Sequence, residues 1–292
     1  MSTAFKKLSE KIGVEVLGID LSQSQDSAQM VAIEKAFVDN CIILFRNQDI
    51  TEDAHIRFSR HFGGLETHVL KQYFLPKYSE ILRISNIQEN GKNIGISDAG
   101  QYWHTDLSYT TNPSRCSVLL AKMIPPTEGD RTYGDTCFVN TGAAYDDLDE
   151  STKQYLSKLK AVHSYTDRYE KMRLANQGAS QRAPLSEEQK KQVPDVVHPI
   201  VRTHPISGKK SLYVNEGFTT RVEGVSAEES DKILKDLFES IKSEKYMYRH
   251  KWKVGDLIMW DNCSAQHLAI ADYGTHQPRL MHRTTVTGTL VF

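Results

Sequence analysis

The sequence predicts a mainly β fold with flanking helices, arranged as a jelly-roll β-sandwich. Apolar segments of strand length dominate the middle and the end of the chain, at residues 80–86, 116–123, 197–214, 257–260 and 279–291. Helical patterns are confined to the front and to one late insertion, so strands and helices do not alternate as they do in parallel α/β sheets. No glycine-rich phosphate loop follows a strand, which argues against a nucleotide-binding fold.

The front of the chain alternates between strand and helix patterns. Residues 13–20 alternate apolar and polar side chains and predict a strand. Residues 27–39 predict an amphipathic helix, because apolar side chains recur at helical spacing. The apolar strand 41–45 follows, and Thr51 is the predicted N-cap of a helix that ends near Gly63.

One further helix is predicted late in the chain. Ser226 and Glu229 have the spacing of a capping box, which marks a helix start. The apolar residues that follow on one side of this helix are Ile233, Leu234, Leu237 and Ile241. Strand patterns return after it, so the helix is predicted to be an insertion into a β fold.

Composition limits the partners and the location. The chain has 292 residues, a formal net charge of -1, 39% hydrophobic and 25% charged residues, as expected of a globular protein. This balance gives no reason to expect nucleic acid or a membrane as partner. The N-terminal segment lacks a secretory apolar run, and the four cysteines are scattered. We therefore expect one cytoplasmic domain, 1–292, with a polar insert or lid around 169–192. A homo-oligomer is also expected, although composition does not determine the oligomeric state.

The chemistry begins with two short histidine motifs. In a strand, residues i and i+2 share a face, so His104 and Asp106 would present an imidazole and a carboxylate side by side. His267 follows the apolar strand 257–260. Two histidines and one carboxylate form the metal-binding face typical of non-haem iron(II) oxygenases.

Two arginines in the last strand add an anion-binding pattern. Arg279 and Arg283 are four residues apart and share one strand face, whereas His282 points to the other. Arginines on the inward face of a sandwich are costly without an anion to pair with them. A dicarboxylate co-substrate supplies such an anion, and the guanidinium fork suits a carboxylate.

Several strings together resemble one enzyme family. They are WHTDLSY at 103–109, GDTCF at 134–138, WDNCSAQHLAIADY at 260–273 and PRLMHRTTVTG at 278–288. They resemble the taurine dioxygenase and 2,4-dichlorophenoxyacetate dioxygenase family, and the likeness extends over nearly the whole chain. The resemblance implies a double-stranded β-helix, or jelly roll, and a dioxygenase that uses Fe(II), 2-oxoglutarate and O2.

The resemblance also implies roles for individual residues. His104, Asp106 and His267 would ligate Fe(II), Arg279 and Thr136 would bind 2-oxoglutarate, and Arg283 and His68 would hold the anionic group of a small substrate. The chain departs from the family around 127–136, where Thr132 is an alternative to Thr136. The carboxylate Asp106 argues against halogenation, because halide-transferring relatives have a small residue there.

The family reaction oxidises a small organic anion and releases succinate and CO2. Hydroxylation is the expected outcome, and desaturation or oxidative cleavage stays open. Two other functions compete with it: a hydrolytic zinc site on the same three residues, and a jelly-roll binding protein without catalysis. Neither explains why Thr136 and Arg279 accompany the metal-binding residues.

Overall fold

The computed structural model describes residues 3–67, 71–175 and 183–292. Strands outnumber helices in this part of the chain. In chain order the first strands are β1 (Ala4–Lys7), β2 (Val14–Leu17), β3 (Ile42–Phe45), β4 (Phe74–Leu75), β5 (Tyr78–Ser85), β6 (Gln88–Glu89), β7 (Lys92–Asn93), β8 (Cys116–Met123) and β9 (Thr136–Asn140). The others are β10 (Lys160–His163), β11 (Val196–Pro199), β12 (Val201–Thr203), β13 (Lys210–Leu212), β14 (Thr219–Val222), β15 (Met247–His250), β16 (Leu257–Asp261), β17 (Ala265–Ala269) and β18 (Leu280–Val286).

The described residues also form seven helices, which lie between strands along the chain. They are α1 (Ser27–Asn40), α2 (Glu52–Arg60), α3 (Thr141–Asp146), α4 (Glu150–Leu156), α5 (Tyr165–Ala175), α6 (Glu187–Gln192) and α7 (Ala227–Ile241). The prediction of a mainly β protein with flanking helices is therefore confirmed. None of the described helices is both long and apolar enough to cross a membrane.

Two sheets enclose the core that supports the functional site. The larger has eight strands in the order β1-β2-β3-β16-β8-β18-β5-β4, and a three-stranded sheet has the order β15-β9-β17. Ile258 and Met281 of the large sheet share one buried apolar cluster with Phe138 and Ala265 of the small sheet. The inner faces of β9, β16, β17 and β18 therefore meet, which places the ends of these strands around one interior space.

The outer face of the large sheet is covered by the first two helices. Phe37 of α1 and Phe58 of α2 pack with Phe45 of β3 in a second apolar cluster. Asp26 caps α1, and Thr51 caps α2 by accepting a hydrogen bond from the Ala54 amide at 3.2 Å. The predicted N-cap of α2 is thus confirmed, and both helices are anchored against the sheet by apolar burial.

Two local predictions are wrong in detail. Residues 197–214 form three short strands rather than one, because His204 opens a turn whose backbone amides at Ile206 and Ser207 donate to its Nδ1. Ser226 caps α7 as predicted, but the reciprocal half of the capping box does not form. The carboxylate of Glu229 instead accepts a hydrogen bond from the Tyr155 hydroxyl at 2.7 Å.

The predicted insert at 169–192 coincides with two helices. Helix α5 begins earlier than the polar composition suggested, at Tyr165, and α6 lies at the other end of the insert. Residues 176–182 lie outside the described part of the chain. No residue of α5 is fully buried, so this helix lies at the surface of the sandwich.

Candidate active site

His104, Asp106 and His267 form one buried cluster. One ligand atom from each lies within 4.8 Å of the other two. His104 is joined to His267 by an isolated antiparallel bridge, with N–O distances of 3.1 and 2.9 Å. The expectation that residues 104–106 form a strand is wrong: Asp106 begins a turn, and Leu107 has a left-handed φ of 56°. The predicted closeness of His104 and Asp106 nevertheless holds, at 3.6 Å between Nε2 and Oδ1.

Hydrogen bonds and ring contacts orient the two imidazoles. Nδ1 of His104 lies 2.8 and 3.1 Å from the carbonyl oxygens of Tyr102 and His267, so this nitrogen carries the proton. Its Nε2 faces Asp106 and is the ring nitrogen left for a metal ion. Burial and the neighbouring His104 hold the pKa of His267 well below its usual value, so His267 is neutral. Trp260 packs 4.6 Å from the His267 ring.

Asp106 is held by one hydroxyl and one guanidinium. Its Oδ2 accepts a hydrogen bond from Ser117 at 2.7 Å, and its Oδ1 lies 3.2 Å from Nη1 of Arg283. Burial raises the pKa of Asp106, but the neighbouring Arg283 guanidinium outweighs this effect and holds the pKa well below its usual value. The sequence analysis missed Ser117, although it is a polar residue at the start of the apolar strand β8.

The cluster fits an iron(II) ion. It offers two imidazoles and one carboxylate, all buried, and this donor set is that of the facial sites of non-haem iron enzymes. Nδ1 of His267 is buried and has no hydrogen-bond partner among the described residues. A buried imidazole nitrogen without a partner is costly unless a ligand or water satisfies it.

A cavity of about 180 Å³ adjoins the cluster. Thr136 and Arg279 line it together with the three clustered residues. Arg279 is 4% exposed, and its Nε is buried without a partner in the described structure. Thr136 Oγ1 accepts a hydrogen bond from Trp252 Nε1 at 3.0 Å, which leaves the hydroxyl proton free for a ligand.

The structure separates the two candidate threonines. Thr136 lines the cavity, whereas Thr132 is not among the lining residues described. The Thr132 hydroxyl already donates to Asp135 Oδ2 at 3.3 Å. Gly134, between them, has a left-handed φ of 69°, and a Cβ there would lie 3.1 Å from Arg279 Nε. Glycine is therefore needed for the backbone to pass this close to the guanidinium.

Arg283 lies on the cavity wall and His282 does not. Arg283 lines the cavity and contacts Asp106, and its Nε is buried without a partner among the described residues. Nδ1 of His282 lies 3.8 Å from the Glu52 carboxylate on α2, so the prediction that it faces away is confirmed. His68 lies outside the described residues.

Aromatic side chains form the wall between the cluster and α5. Tyr102 lies 4.9 Å from the His104 ring, and Tyr109 lies 4.6 Å from Phe218 and 4.9 Å from Tyr165, between ring centroids. The sequence analysis did not single out these rings. The sequence indicates them only weakly, because Phe218 and Tyr165 are distant in the chain and only the fold brings them beside the cluster.

The comparisons with known proteins decide the family. Residues 4–285 match the model of the taurine catabolism dioxygenase TauD, TfdA family. The chain belongs to the TauD/TfdA family. It is 33% identical to the alpha-ketoglutarate-dependent 2,4-dichlorophenoxyacetate dioxygenase of Cupriavidus pinatubonensis, over 91% of this chain and 92% of that protein. It is 31% identical to an alpha-ketoglutarate-dependent sulfate ester dioxygenase of Pseudomonas putida, over 95% and 87% of the two chains.

A solved structure supports the same assignment. The crystal structure of AAD-2 in complex with Mn(II) and N-oxalylglycine matches with a TM-score of 0.81 and 30% identity, over 100% of this chain and 99% of that chain. This TauD/TfdA member is a 2-oxoglutarate-dependent non-haem iron dioxygenase that uses Fe(II) and O2. The zinc hydrolase and the non-catalytic binding protein, which the residues alone left open, are therefore set aside.

Proposed function

We propose that the enzyme oxidises a small monoanionic organic substrate in the cavity beside His104, Asp106 and His267. In this proposal these three residues hold Fe(II), and Arg279 and Thr136 hold the distal carboxylate of 2-oxoglutarate. Arg283 binds the anionic group of the substrate, with His68 as a second contact carried over from the family resemblance. The observation that carries the proposal is one cavity lined by the buried cluster and by guanidinium groups with unpartnered Nε atoms.

The charges of the cavity favour an anion. Its described lining contains three arginines, Arg168, Arg279 and Arg283, and two aspartates, Asp98 and Asp106, which leaves a net charge of +1. Bound Fe(II) and doubly charged 2-oxoglutarate cancel each other, so a monoanion would neutralise the site. The names of the relatives agree with this class, because they include a sulfate ester dioxygenase and a 2,4-dichlorophenoxyacetate dioxygenase.

Fe(II), 2-oxoglutarate and O2, once bound, would supply the oxidative decarboxylation to succinate and CO2 that accompanies oxidation of the substrate. The chain's own groups position the reactants. The Ser117 hydroxyl and Arg283 fix the two oxygens of Asp106, and the carbonyl of Tyr102 fixes the tautomer of His104. Hydroxylation is the proposed outcome, with desaturation or oxidative cleavage as alternatives.

Arg283 can bind a substrate anion while it keeps its contact with Asp106. The structure gives Arg283 one hydrogen bond to a carboxylate, through Nη1, and leaves its Nε buried without a described partner. A guanidinium has five N–H donors. A substrate anion could therefore bind to the remaining donors without displacing Asp106.

Five broader features belong to the proposal. The two-sheet core supports a jelly roll, or double-stranded β-helix, and the lining of one cavity by residues from 84 to 283 supports a single domain, 1–292. Tyr169 and Met172 reach the cavity from α5, which supports the insert 169–192 as a lid. Four buried, unpaired cysteines support a cytoplasmic location. A homo-oligomer stays a prediction that size-exclusion chromatography with light scattering can test.

A screen of paired compounds tests the substrate class. Each small sulfonate, carboxylate or sulfate ester is assayed beside its neutral amide or alcohol, with succinate measured above the substrate-free background. We expect stimulation by one or more anions and none by their neutral partners. Equal stimulation by the neutral partners would contradict the anionic substrate, while a reaction that needs neither Fe(II) nor 2-oxoglutarate would contradict the site itself.

A further inference from the structure

Arg168 is a third cationic group at the active site, beside Arg279 and Arg283. It lies on α5 and lines the same cavity as His104 and Arg283. Its guanidinium carbon is 3.5 Å from the centre of the Tyr102 ring, and that ring is 4.9 Å from the imidazole of His104. Arg168 therefore belongs to the wall next to a proposed metal ligand, although its helix lies at the surface.

Arg168 differs from the other charged residues of α5. Asp167 pairs with Lys171 at 2.8 Å, and Glu170 pairs with Arg173. Arg168 has no ion pair with any carboxylate in the described structure, and its Nε is buried there without a hydrogen-bond partner. The other four charged residues of α5 are thus paired within the helix, whereas Arg168 lines the cavity.

The contact with Tyr102 leaves the Nε of the guanidinium without an acceptor in the described structure. A cation over an aromatic face is stabilised by about 0.5–2 kcal/mol, but the face offers no acceptor to N–H groups in the guanidinium plane. A buried donor left without an acceptor costs about 1–3 kcal/mol. The other two arginines of the cavity have the same unpartnered Nε and already have proposed ligands, 2-oxoglutarate and the substrate anion.

We propose that Arg168 is a specificity-determining residue that binds a second oxygen acceptor of the substrate, in addition to the anionic group bound by Arg283. This inference rests on the proposed function, because it assumes a substrate in this cavity. The substrate class becomes an organic monoanion with a carbonyl, nitro or similar uncharged oxygen group away from its anionic group. The aromatic wall favours a flat body between the two groups.

Binding to a non-reacting complex tests the inference. The protein is loaded with Mn(II) and N-oxalylglycine and titrated by calorimetry with 4-acetylbenzenesulfonate or 4-isopropylbenzenesulfonate, which are monoanions of nearly equal size. These probes share the ring and sulfonate, and only the first has an oxygen acceptor at the far end. The variants are Arg168→Ala, Arg168→Lys and the control Lys171→Ala, which removes the same charge from an exposed position on the same helix.

The wild type should bind 4-acetylbenzenesulfonate at least about tenfold more tightly, as expected for a hydrogen bond from a charged donor to its carbonyl oxygen. Arg168→Ala should lose this preference, Arg168→Lys should keep part of it, and Lys171→Ala should keep all of it. Equal affinity of the wild type for both probes, or an equal loss for both in Arg168→Ala, would overturn the inference. N-oxalylglycine binding, measured first in every variant, reports separately on the proposed metal and co-substrate site.

Discussion

Replacement of Arg279 by alanine should weaken 2-oxoglutarate binding far more than replacement of Thr136. Arg279 is a 4% exposed guanidinium with an unpartnered Nε, so it can offer two charged donors to a carboxylate. Hydrogen bonds to charged groups contribute about 1.5–3 kcal/mol and a neutral one about 1 kcal/mol. Arg279→Ala should therefore raise the apparent 2-oxoglutarate constant by about 10- to 150-fold, and Thr136→Ala by about fivefold.

The assay follows succinate as 2-oxoglutarate is varied, and calorimetry with N-oxalylglycine on the Mn(II) protein reports binding without turnover. Thr132→Ala is the matched control, because its hydroxyl donates to Asp135 and the residue does not line the cavity. It should leave both constants unchanged. Equal effects of Arg279→Ala and Thr136→Ala, or a larger effect of Thr132→Ala than of Thr136→Ala, would refute the assignment.

Three further predictions concern neighbouring groups. Arg283→Ala should raise the apparent Michaelis constant of a stimulating anion by one to three powers of ten and leave that of 2-oxoglutarate unchanged. An unchanged constant for the anion would show that Arg283 contacts Asp106 but does not bind the substrate. Ser117→Ala should weaken Mn(II) binding about 10- to 100-fold, measured by calorimetry, because Asp106 loses its 2.7 Å hydrogen bond; unchanged affinity would make this contact dispensable. Burial and the nearby Lys122 lower the pKa of His282 to about 4. As the pH falls below about 6.5, His282 takes up a proton in the unfolded chain but not yet in the folded one. The free energy of unfolding therefore declines from pH 7 to 5. His282→Gln should reduce the decline by about 1–2 kcal/mol in urea unfolding, and an equal decline would contradict the shift.

The metal-binding residues could be predicted from the sequence because their chemistry is local. His104 and Asp106 are two residues apart, and His267 follows a strand that is predicted by its apolar composition. The reason given for their closeness was partly wrong, since Asp106 begins a turn rather than continuing a strand. The spacing was sufficient because the bridge between His104 and His267 fixes the geometry instead.

The cavity wall could not be predicted in the same way. Ser117 contacts Asp106 only because β8 lies between β16 and β18, and strand order is not encoded in local periodicity. Arg168 precedes the predicted insert and was not singled out, since nothing in the neighbouring sequence shows that its charge alone lacks a partner on the helix. The choice between Thr132 and Thr136 likewise depended on which hydroxyl the fold places in the cavity.

The central claim is that one Fe(II) ion is held by His104, Asp106 and His267, and metal content after anaerobic loading tests it most directly. Each variant, His104→Ala, Asp106→Ala and His267→Ala, is loaded with Fe(II), desalted and assayed for iron per folded chain, with His282→Ala as the histidine control outside the cluster. The account predicts about one iron in the wild type and the control, and almost none in the three variants, with circular dichroism unchanged. Retention of a full equivalent of iron by any of the three would contradict it.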